Sequence, residues 1–399
     1  MIFILTMTDI AEPQTKEVRD RIPMRDGQDW GAIDLTGKWA AKPRYFKVFE
    51  FSEGIATVQV SQTPTGYGYI DKNGKAIGKP EYLLASMFSD GLASVQKRVA
   101  PETAGCPKNS GTSMEVWGYI NREGKMAIKP QFAQVGNFRN GLAPVVWACN
   151  ENTGFIWGYI NKSGATVVKA RFTEAYVFAD GMACVRASVD YAKEDGPAST
   201  FGYINTAGKL AIRCQFQEAM DFSEGLAAVR KNNTWGYINK QGKYVTADDF
   251  TRAGNFNESG SAVIGQGSKY GYIDKSGKVF IEPEFQLARP FYEGLAAVMK
   301  NDKWGYIDKT GKVVIDFQYG GGQGDEGAAC IDFSEGLAAV SHKGFWKFID
   351  KDGKVVIEKE YLDVTYFNNG VSTCQLREDG KLYIVIIDKT GKEIFRREK

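Results

Sequence analysis

Only one imidazole is available to this chain, that of His342, so any triad or histidine-based metal centre would have to be built around it alone. Its position on the tail of a repeated strand makes an exposed strand-end side chain the simpler expectation. Carboxylates are plentiful, but they recur where turns of the form Asp/Asn-x-x-Gly-Lys open, and there they are expected to cap the turn. A general acid–base pair of the glycosidase kind is not expected from that pattern. The same turns lack the alternating carboxylates of an EF-hand loop and the Gly-Gly-x-Gly-x-Asp of calcium-binding β-helices, so no metal site is expected. No glycine-rich phosphate loop of the P-loop or dinucleotide type occurs. The chain reads as non-enzymatic, with no catalytic residues and no cofactor.

The elements that would position any side chain are set by an internal repeat. An aromatic-Gly-x-Ile-Asp/Asn-x-x-Gly-Lys pattern begins at Trp30, Tyr67, Trp117, Trp157 (where Ala165 replaces the lysine), Phe201, Trp235, Tyr270 and Trp304. A ninth copy at Trp346 has Lys347 where the glycine stands elsewhere, and a tenth is reduced to Ile387, Asp388, Gly391 and Lys392. A second landmark, usually opening Phe-x-x-Gly-Leu-Ala-x-Val, follows at Phe51, Phe88, Phe138, Phe178, Phe222, Phe256, Phe291, Phe333 and Phe367. It lies 21 residues on in every copy except Trp304 to Phe333, where the segment Gly320–Gly327 is inserted. A third aromatic stands 15 residues after the first in all nine: Tyr45, Tyr82, Phe132, Phe172, Phe216, Phe250, Phe285, Tyr319 and Tyr361. The first-landmark aromatics are expected to be repeat-core residues.

The strings Trp304-Gly305-Tyr306-Ile307-Asp308-Lys309-Thr310-Gly311-Lys312-Val313-Val314-Ile315 and Phe333-Ser334-Glu335-Gly336-Leu337-Ala338-Ala339-Val340 resemble the WG-containing repeat of bacterial proteins. The resemblance covers roughly residues 22–395. It implies a β-rich repeat scaffold, in a family whose members mostly lack an assigned biochemical activity. Lys347, the worn tenth copy and Ser259, which replaces the glycine of Phe-x-x-Gly, depart from the pattern and put the local turn geometry in question.

Read locally, Trp-Gly-Tyr-Ile and Lys-Val-Val-Ile are short strands joined by a type I turn closing on a left-handed glycine. Gly-Leu-Ala-Ala-Val-Arg-Lys is a third strand, reaching the next tryptophan through Asn232 and Asn233, residue types that tolerate positive φ. The unit is thus a three-stranded antiparallel meander. It cannot bury its apolar face alone, and stacking on neighbouring units must supply the core. Ile22 to Arg25 precedes Trp30 at the spacing by which Ala227 to Arg230 precedes Trp235, so the chain holds about ten whole units. The expected fold is therefore all-β: a tandem array forming an open solenoid-like superhelix, with a closed β-propeller-like ring as the alternative. Residues 1–21 are expected to be poorly ordered, 22–395 to form one continuous array, and 396–399 to be a tail.

Functional expectations follow from where the repeat is irregular. From the strand valine to the next first landmark the tight copies take 6 residues, whereas Val58 to Tyr67 takes 9, Val95 to Trp117 takes 22, Val145 to Trp157 takes 12 and Val185 to Phe201 takes 16. These four extensions are consecutive and leave one corner of the array, the place where repeat proteins often bind. They carry Arg98, Glu102, Glu115, Trp147, Phe155, Tyr191, Glu194 and Asp195 towards a common rim, expected to contact a partner protein. Trp147 and Tyr191 lie outside the three aromatic registers. If exposed, they would stack on sugar rings, which makes a carbohydrate- or envelope-binding module the alternative. Cys106 and Cys149 leave the same corner of consecutive units, which leaves a disulfide between them open. Cys184 and Cys374 fall in the small-residue strand and are expected to be packed, and Cys214 stands where other copies have Pro130 or Pro283.

Composition bounds the rest. With 50 Lys plus Arg against 48 Asp plus Glu, the chain has a formal charge of +2, without the basic excess expected of a nucleic-acid binder. No stretch approaches the ~20 apolar residues of a membrane span, and Met1 to Leu5 is too short for a secretory h-region. A cytoplasmic protein is expected, with a periplasmic or secreted one as the alternative should the true start lie elsewhere.

Overall fold

Each copy of the repeat folds as a small antiparallel sheet, for reasons local to its sequence. In the computed structural model, which describes residues 20–62, 66–104, 113–148, 156–246, 249–320 and 330–399, the turn Asp308–Gly311 is representative. Asp308 Oδ1 accepts the backbone N–H of Thr310 at 2.8 Å and that of Lys312 at 3.1 Å, and Gly311 takes φ 83°. The same pair of bonds recurs from Asp34, Asp71, Asn239, Asp274, Asp350 and Asp388. The two-residue link after the third strand is left-handed at both positions, φ 51° at Asn232 and 67° at Asn233, as a tight hairpin requires.

The glycine of the aromatic-Gly pair has a different origin. Trp304 pairs with Tyr319, Tyr306 with Ile315 and Ile307 with Val313, so the facing strand carries bulges that bring its backbone over residue 305. A Cβ there would lie 2.6 Å from the Ile315 carbonyl oxygen. Close approach, and not positive φ, selects glycine. Lys347 does not disturb this register in the ninth copy, since Trp346 still pairs with Tyr361 and Phe348 with Ile357. Its ammonium lies 3.3 Å from Glu360 and 3.7 Å from Glu358.

The third-aromatic spacing of 15 is a cross-strand pairing: Trp30 faces Tyr45, Tyr67 faces Tyr82, Trp117 faces Phe132 and Trp157 faces Phe172. All nine third aromatics and all nine second-landmark phenylalanines are buried. Among the first landmarks only Trp235 and Trp304 are fully buried, the other seven being half-buried against the core. The deepest residue is the tyrosine two places later. Tyr119, Tyr159, Tyr203 and Tyr272 are wholly buried, and each meets the second-landmark phenylalanine of its copy, at ring separations of 4.8, 5.6, 4.7 and 4.6 Å. Each hydroxyl donates to a backbone carbonyl 17 residues on, for example Tyr203 to Met220 at 2.6 Å. Burial pushes the Tyr159, Tyr203 and Tyr272 hydroxyls well above the usual phenol range, so these donors stay protonated.

The segment after the third aromatic adds a short outer strand to the expected three. Leu84–Ala85, Glu218–Ala219, Leu287–Ala288 and Asp363–Val364 each pair with the Gly-Leu-Ala strand that follows. In Met126–Val135 and Thr166–Ala175 this outer strand is continuous with the edge strand of the preceding copy, which fuses three copies into one ten-stranded sheet. No sheet of the described residues closes into a barrel, which fits an open succession of units.

Cores form between consecutive copies, as stacking requires: Tyr119, Ile128, Phe132 and Phe138 pack with Ala143, Val145 and Ile160 of the next. The edge-strand aliphatic meets the turn glycine of the following copy, so that Cβ atoms on Gly164, Gly242, Gly311 and Gly353 would lie 3.1–3.7 Å from Ile128, Ile212, Ile281 and Ile315. Acidic residues in the second turn fasten the same seams. Asp180 accepts the N–H of Gly225 at 2.6 Å and the ammonium of Lys240 at 2.7 Å, and Asp90 does likewise with Gly141 and Lys162 at 2.6 Å each.

The array divides into two compact units, one formed by Arg19–Asp248 with Glu393–Lys399 and the other containing Asp249–Lys392. Within the first, the strand Glu393–Glu398, which extends into the expected tail, lies against the opening copy. Trp39 meets Phe395 edge-on at 5.8 Å, a Cβ on Gly37 would lie 2.4 Å from the Ile394 carbonyl oxygen, and Arg397 donates to the Arg25 carbonyl.

Candidate functional site

On either side of residues 105–112 the long extension after Val95 continues the ladder. Leu92–Val99 and Met114–Asn121 stay in antiparallel register from Leu92↔Asn121 out to Val99↔Met114, well beyond the tight hairpins of other copies. A 3-10 turn, Pro101–Ala104, follows, and Ala104 and Val116 are buried in a small satellite core with Val99, Met114 and Ala148. This core joins the extension to the neighbouring copy, because Ala148 directly follows the strand Leu142–Trp147.

On this projection Arg98 and Glu115 face each other across the strands and pair at 2.5 Å, with both side chains largely exposed. Screening makes such a pair worth little to stability, so it is available to rearrange on contact. Glu102 is exposed on the 3-10 turn.

Trp147 is not the exposed, unexplained aromatic expected from the sequence. It stands directly opposite Phe132 in the sheet, with the rings 5.9 Å apart at 73°, and it is half-buried. It also holds a register position, 15 residues after the third aromatic. There Lys97 covers Tyr82 at 5.3 Å and Lys300 covers Phe285 at 5.9 Å. The fourth copy thus replaces a cation–π lid with an edge-on indole.

The extension after Val185 carries a 3-10 turn, Val189–Tyr191, and a helical turn, Ala192–Asp195. Val189 is 75% exposed and Glu194 is exposed. Asp195 points inward, contrary to its expected place on the rim: its residue is 1% exposed and its carboxylate lies 3.4 Å from the Arg171 guanidinium. Burial pushes this carboxyl above the ordinary range against the pull of Arg171. Arg213 donates to the Lys193 carbonyl at 2.8 Å, and a Cβ on Gly196 would fall 2.0 Å from the Cys214 carbonyl oxygen. Arg171, Arg213, Gly196 and Cys214 therefore anchor the extension to strands of its own and the preceding copy. Of these only Cys214 stood out in the sequence; for Gly196 the available signal was a lone glycine following Lys193, Glu194 and Asp195.

The backbone of Tyr191 is placed, but its side chain lies outside the described residues, as do Phe155, Cys106, Cys149 and the side chain of His342. Cys184, Cys214, Cys330 and Cys374 are buried free thiols, and burial raises those of Cys214, Cys330 and Cys374 to about 12. Among the described residues no group of three or more His, Cys, Asp or Glu side chains is arranged to hold a metal ion, and no helix is long and apolar enough to cross a membrane.

A family model described as "WG containing repeat" matches nine segments: 30–62, 67–98, 117–146, 157–187, 201–235, 235–270, 270–304, 304–346 and 348–381. No curated protein sequence matches the chain. Among solved structures, one titled as the crystal structure of the eukaryotic initiation factor is similar at a TM-score of 0.52 and 11% identity, over 96% of each chain. A quinonprotein alcohol dehydrogenase-like protein from Bacteroides thetaiotaomicron is similar at a TM-score of 0.31 and 11% identity, over 77% of this chain and 82% of that one. At such identities the first likeness concerns the fold alone, and the second carries no argument.

Proposed function

Because the chain belongs to the WG containing repeat family, a family of repeat scaffolds, we propose that it is a non-enzymatic protein-interaction scaffold that engages a partner through its consecutive extensions. One observation carries this reading. The strands Leu92–Val99 and Met114–Asn121 are built out in register on a satellite core and, with the 3-10 turn Pro101–Ala104, display Arg98, Glu102 and Glu115 to solvent. Neutral loop growth has no reason to bury Ala104 and Val116 or to pair strands beyond the hairpin. The next extension but one is likewise pinned from below, through Asp195 and Gly196, while Val189 and Glu194 face outward. Rigid support of an exposed surface lowers the ordering penalty of binding.

The test replaces residues 98–115 and 188–199 by the tight Asn-Asn link of the sixth copy and compares both proteins in a quantitative pull-down from native lysate. Loss of one dominant partner from a variant with an unchanged melting curve is the expected outcome. Retention of the same partner set by the variant would overturn the assignment to the extensions.

A further inference from the structure

The near-neutral total charge conceals two rows of opposite sign. Three residues before the third aromatic, each of the first five copies carries a base: Lys42, Lys79, Lys129, Lys169 and Arg213. The seventh, eighth and ninth copies carry an acid there, Glu282, Asp316 and Glu358, and the sixth has Ala247, which lies outside the described residues. The worn tenth copy returns to a base, Arg396, held by Glu393 of its own strand at 3.3 Å. The five bases and three acids are all exposed on edge strands. In most copies the position directly follows the buried edge-strand aliphatic, and the alternation of a strand turns it outward.

The sign follows the division of the chain into units. Arg19–Asp248 with Glu393–Lys399 holds 31 Lys and Arg against 24 Asp and Glu, whereas Asp249–Lys392 holds 18 against 21. Neither row is neutralised from within. Lys42, Lys79, Lys129, Lys169, Glu282 and Asp316 have no ion-pair or side-chain hydrogen-bond partner among the described residues. Arg213 donates to the Lys193 carbonyl, and Glu358 and Glu360 share Lys347 at 3.7 and 3.3 Å. Other charges of the same strands are mostly occupied, Glu81 by Lys97, Arg171 by Asp195, Glu174 by Arg186 and Glu284 by Lys300. The turn lysine that opens the edge strand is common to both sets, apart from Ala165 of the fourth copy, and does not distinguish them.

We propose that the basic edge-strand row of one molecule binds the acidic row of a second copy of this chain. Both rows are laid out by the same step, one copy of the repeat, so acids on consecutive copies of one molecule meet bases on consecutive copies of the other in register. One exposed pair contributes little in water, but a row of pairs matched in step acts together and fixes which surfaces meet. Exposed apolar side chains stand beside both rows, Met126 and Val167 among the bases and Val313, Val314 and Val356 among the acids, and their contact shields the pairs from solvent. A polyanion would match the bases but leave the acidic row without a role. Because the two rows differ, the contact is heterologous and is open to association beyond a dimer. The rows lie on edge strands and not on the extensions, so this inference and the function proposed above stand or fall separately.

The test is sedimentation velocity of the full chain across a concentration series, at about 50 mM and about 500 mM salt. Two variants accompany it: Lys79→Glu with Lys129→Glu and Lys169→Glu, and Glu282→Lys with Asp316→Lys and Glu358→Lys. Arg213 is left unchanged, because it also anchors the extension after Val185. The chain is expected to self-associate at the lower salt and to dissociate at the higher. Each variant, with an unchanged melting curve, should need about tenfold or more the concentration to associate. An equimolar mixture of the two variants should recover association, since one then presents acids where the other presents bases. Should a triple variant misfold, the single changes Lys129→Glu and Asp316→Lys carry the same comparison. A chain that stays monomeric, an association indifferent to salt or to both variants, or a mixture no more associated than its parts would overturn the proposal. So would fluorescein-labelled linear polyphosphate bound by a monomeric chain and lost with the lysine variant, since the occupant would then be a polyanion.

Discussion

At the scale of single residues, the repeated tyrosine is the side chain on which each copy closes. Tyr203 sits with its ring 4.7 Å from Phe222 and its hydroxyl on the Met220 carbonyl, with no water-accessible alternative for either group. Phe348 occupies this position in the ninth copy and keeps the ring contact, 4.9 Å from Phe367, so phenylalanine fits. Tyr203→Phe is therefore expected to leave the fold intact while orphaning a buried carbonyl, at about 1–2 kcal/mol. Urea denaturation monitored by circular dichroism should show a lower midpoint with an unchanged slope. An unchanged midpoint would mean that ring packing alone matters. The Trp of each copy, by contrast, is mostly half-buried, and its large size draws attention in the sequence that the smaller tyrosine deserves in the structure.

At the scale of elements, the Asp-x-x-Gly turns make stability depend on pH in a direction that follows from their bonds. Asp34, Asp274, Asp308 and Asp388 are held below the ordinary carboxylate range, first by the hydroxyls of Thr36, Ser276, Thr310 and Thr390. A folded pKa below the unfolded one gives a contribution that is complete above the ordinary value of about 4 and is lost as pH falls through the depressed values. Other copies use neutral asparagine at this place, and Asn161 and Asn239 accept the same backbone N–H bonds. Replacing the four aspartates by asparagine is expected to leave stability near pH 7 almost unchanged and to reduce its loss below about pH 4. Thermal melts across pH 3–7 check this, and identical acid limbs in both proteins would show that these turns do not govern acid sensitivity.

At the scale of the molecule, a repeat array is stabilised between neighbours, and its terminal copies lack a neighbour on one side. In the unit containing the opening copy, the strand Glu393–Glu398 supplies contacts of that kind to Gly37, Trp39 and Arg25. A chain ending at Lys392 is expected to lose amide protection in Arg21–Asp26, Asp29–Asp34 and Trp39–Tyr45. Protection in Leu142–Trp147 and Trp157–Asn161 should be retained, because local opening follows local contacts. Hydrogen exchange read by mass spectrometry distinguishes this from a uniform loss, which would indicate a single cooperative array.

Much of this was legible in the residues themselves. The three aromatic registers, the turn caps, the left-handed Asn232-Asn233 link and the need to stack are all consequences of chemistry within a few residues or of the two-residue period of a strand, and both are written locally. The 15-residue spacing is a cross-strand pair read along the chain. What the sequence could not determine is what arrives from another copy: that Trp147 meets Phe132 edge-on, that Asp195 turns inward to Arg171, and that Phe395 reaches Trp39. Each depends on a surface contributed by a distant part of the chain, and burial is a property of the pair of surfaces and of neither alone. Local chemistry therefore wrote the unit, and tertiary contact alone decided which of its side chains remain free to bind.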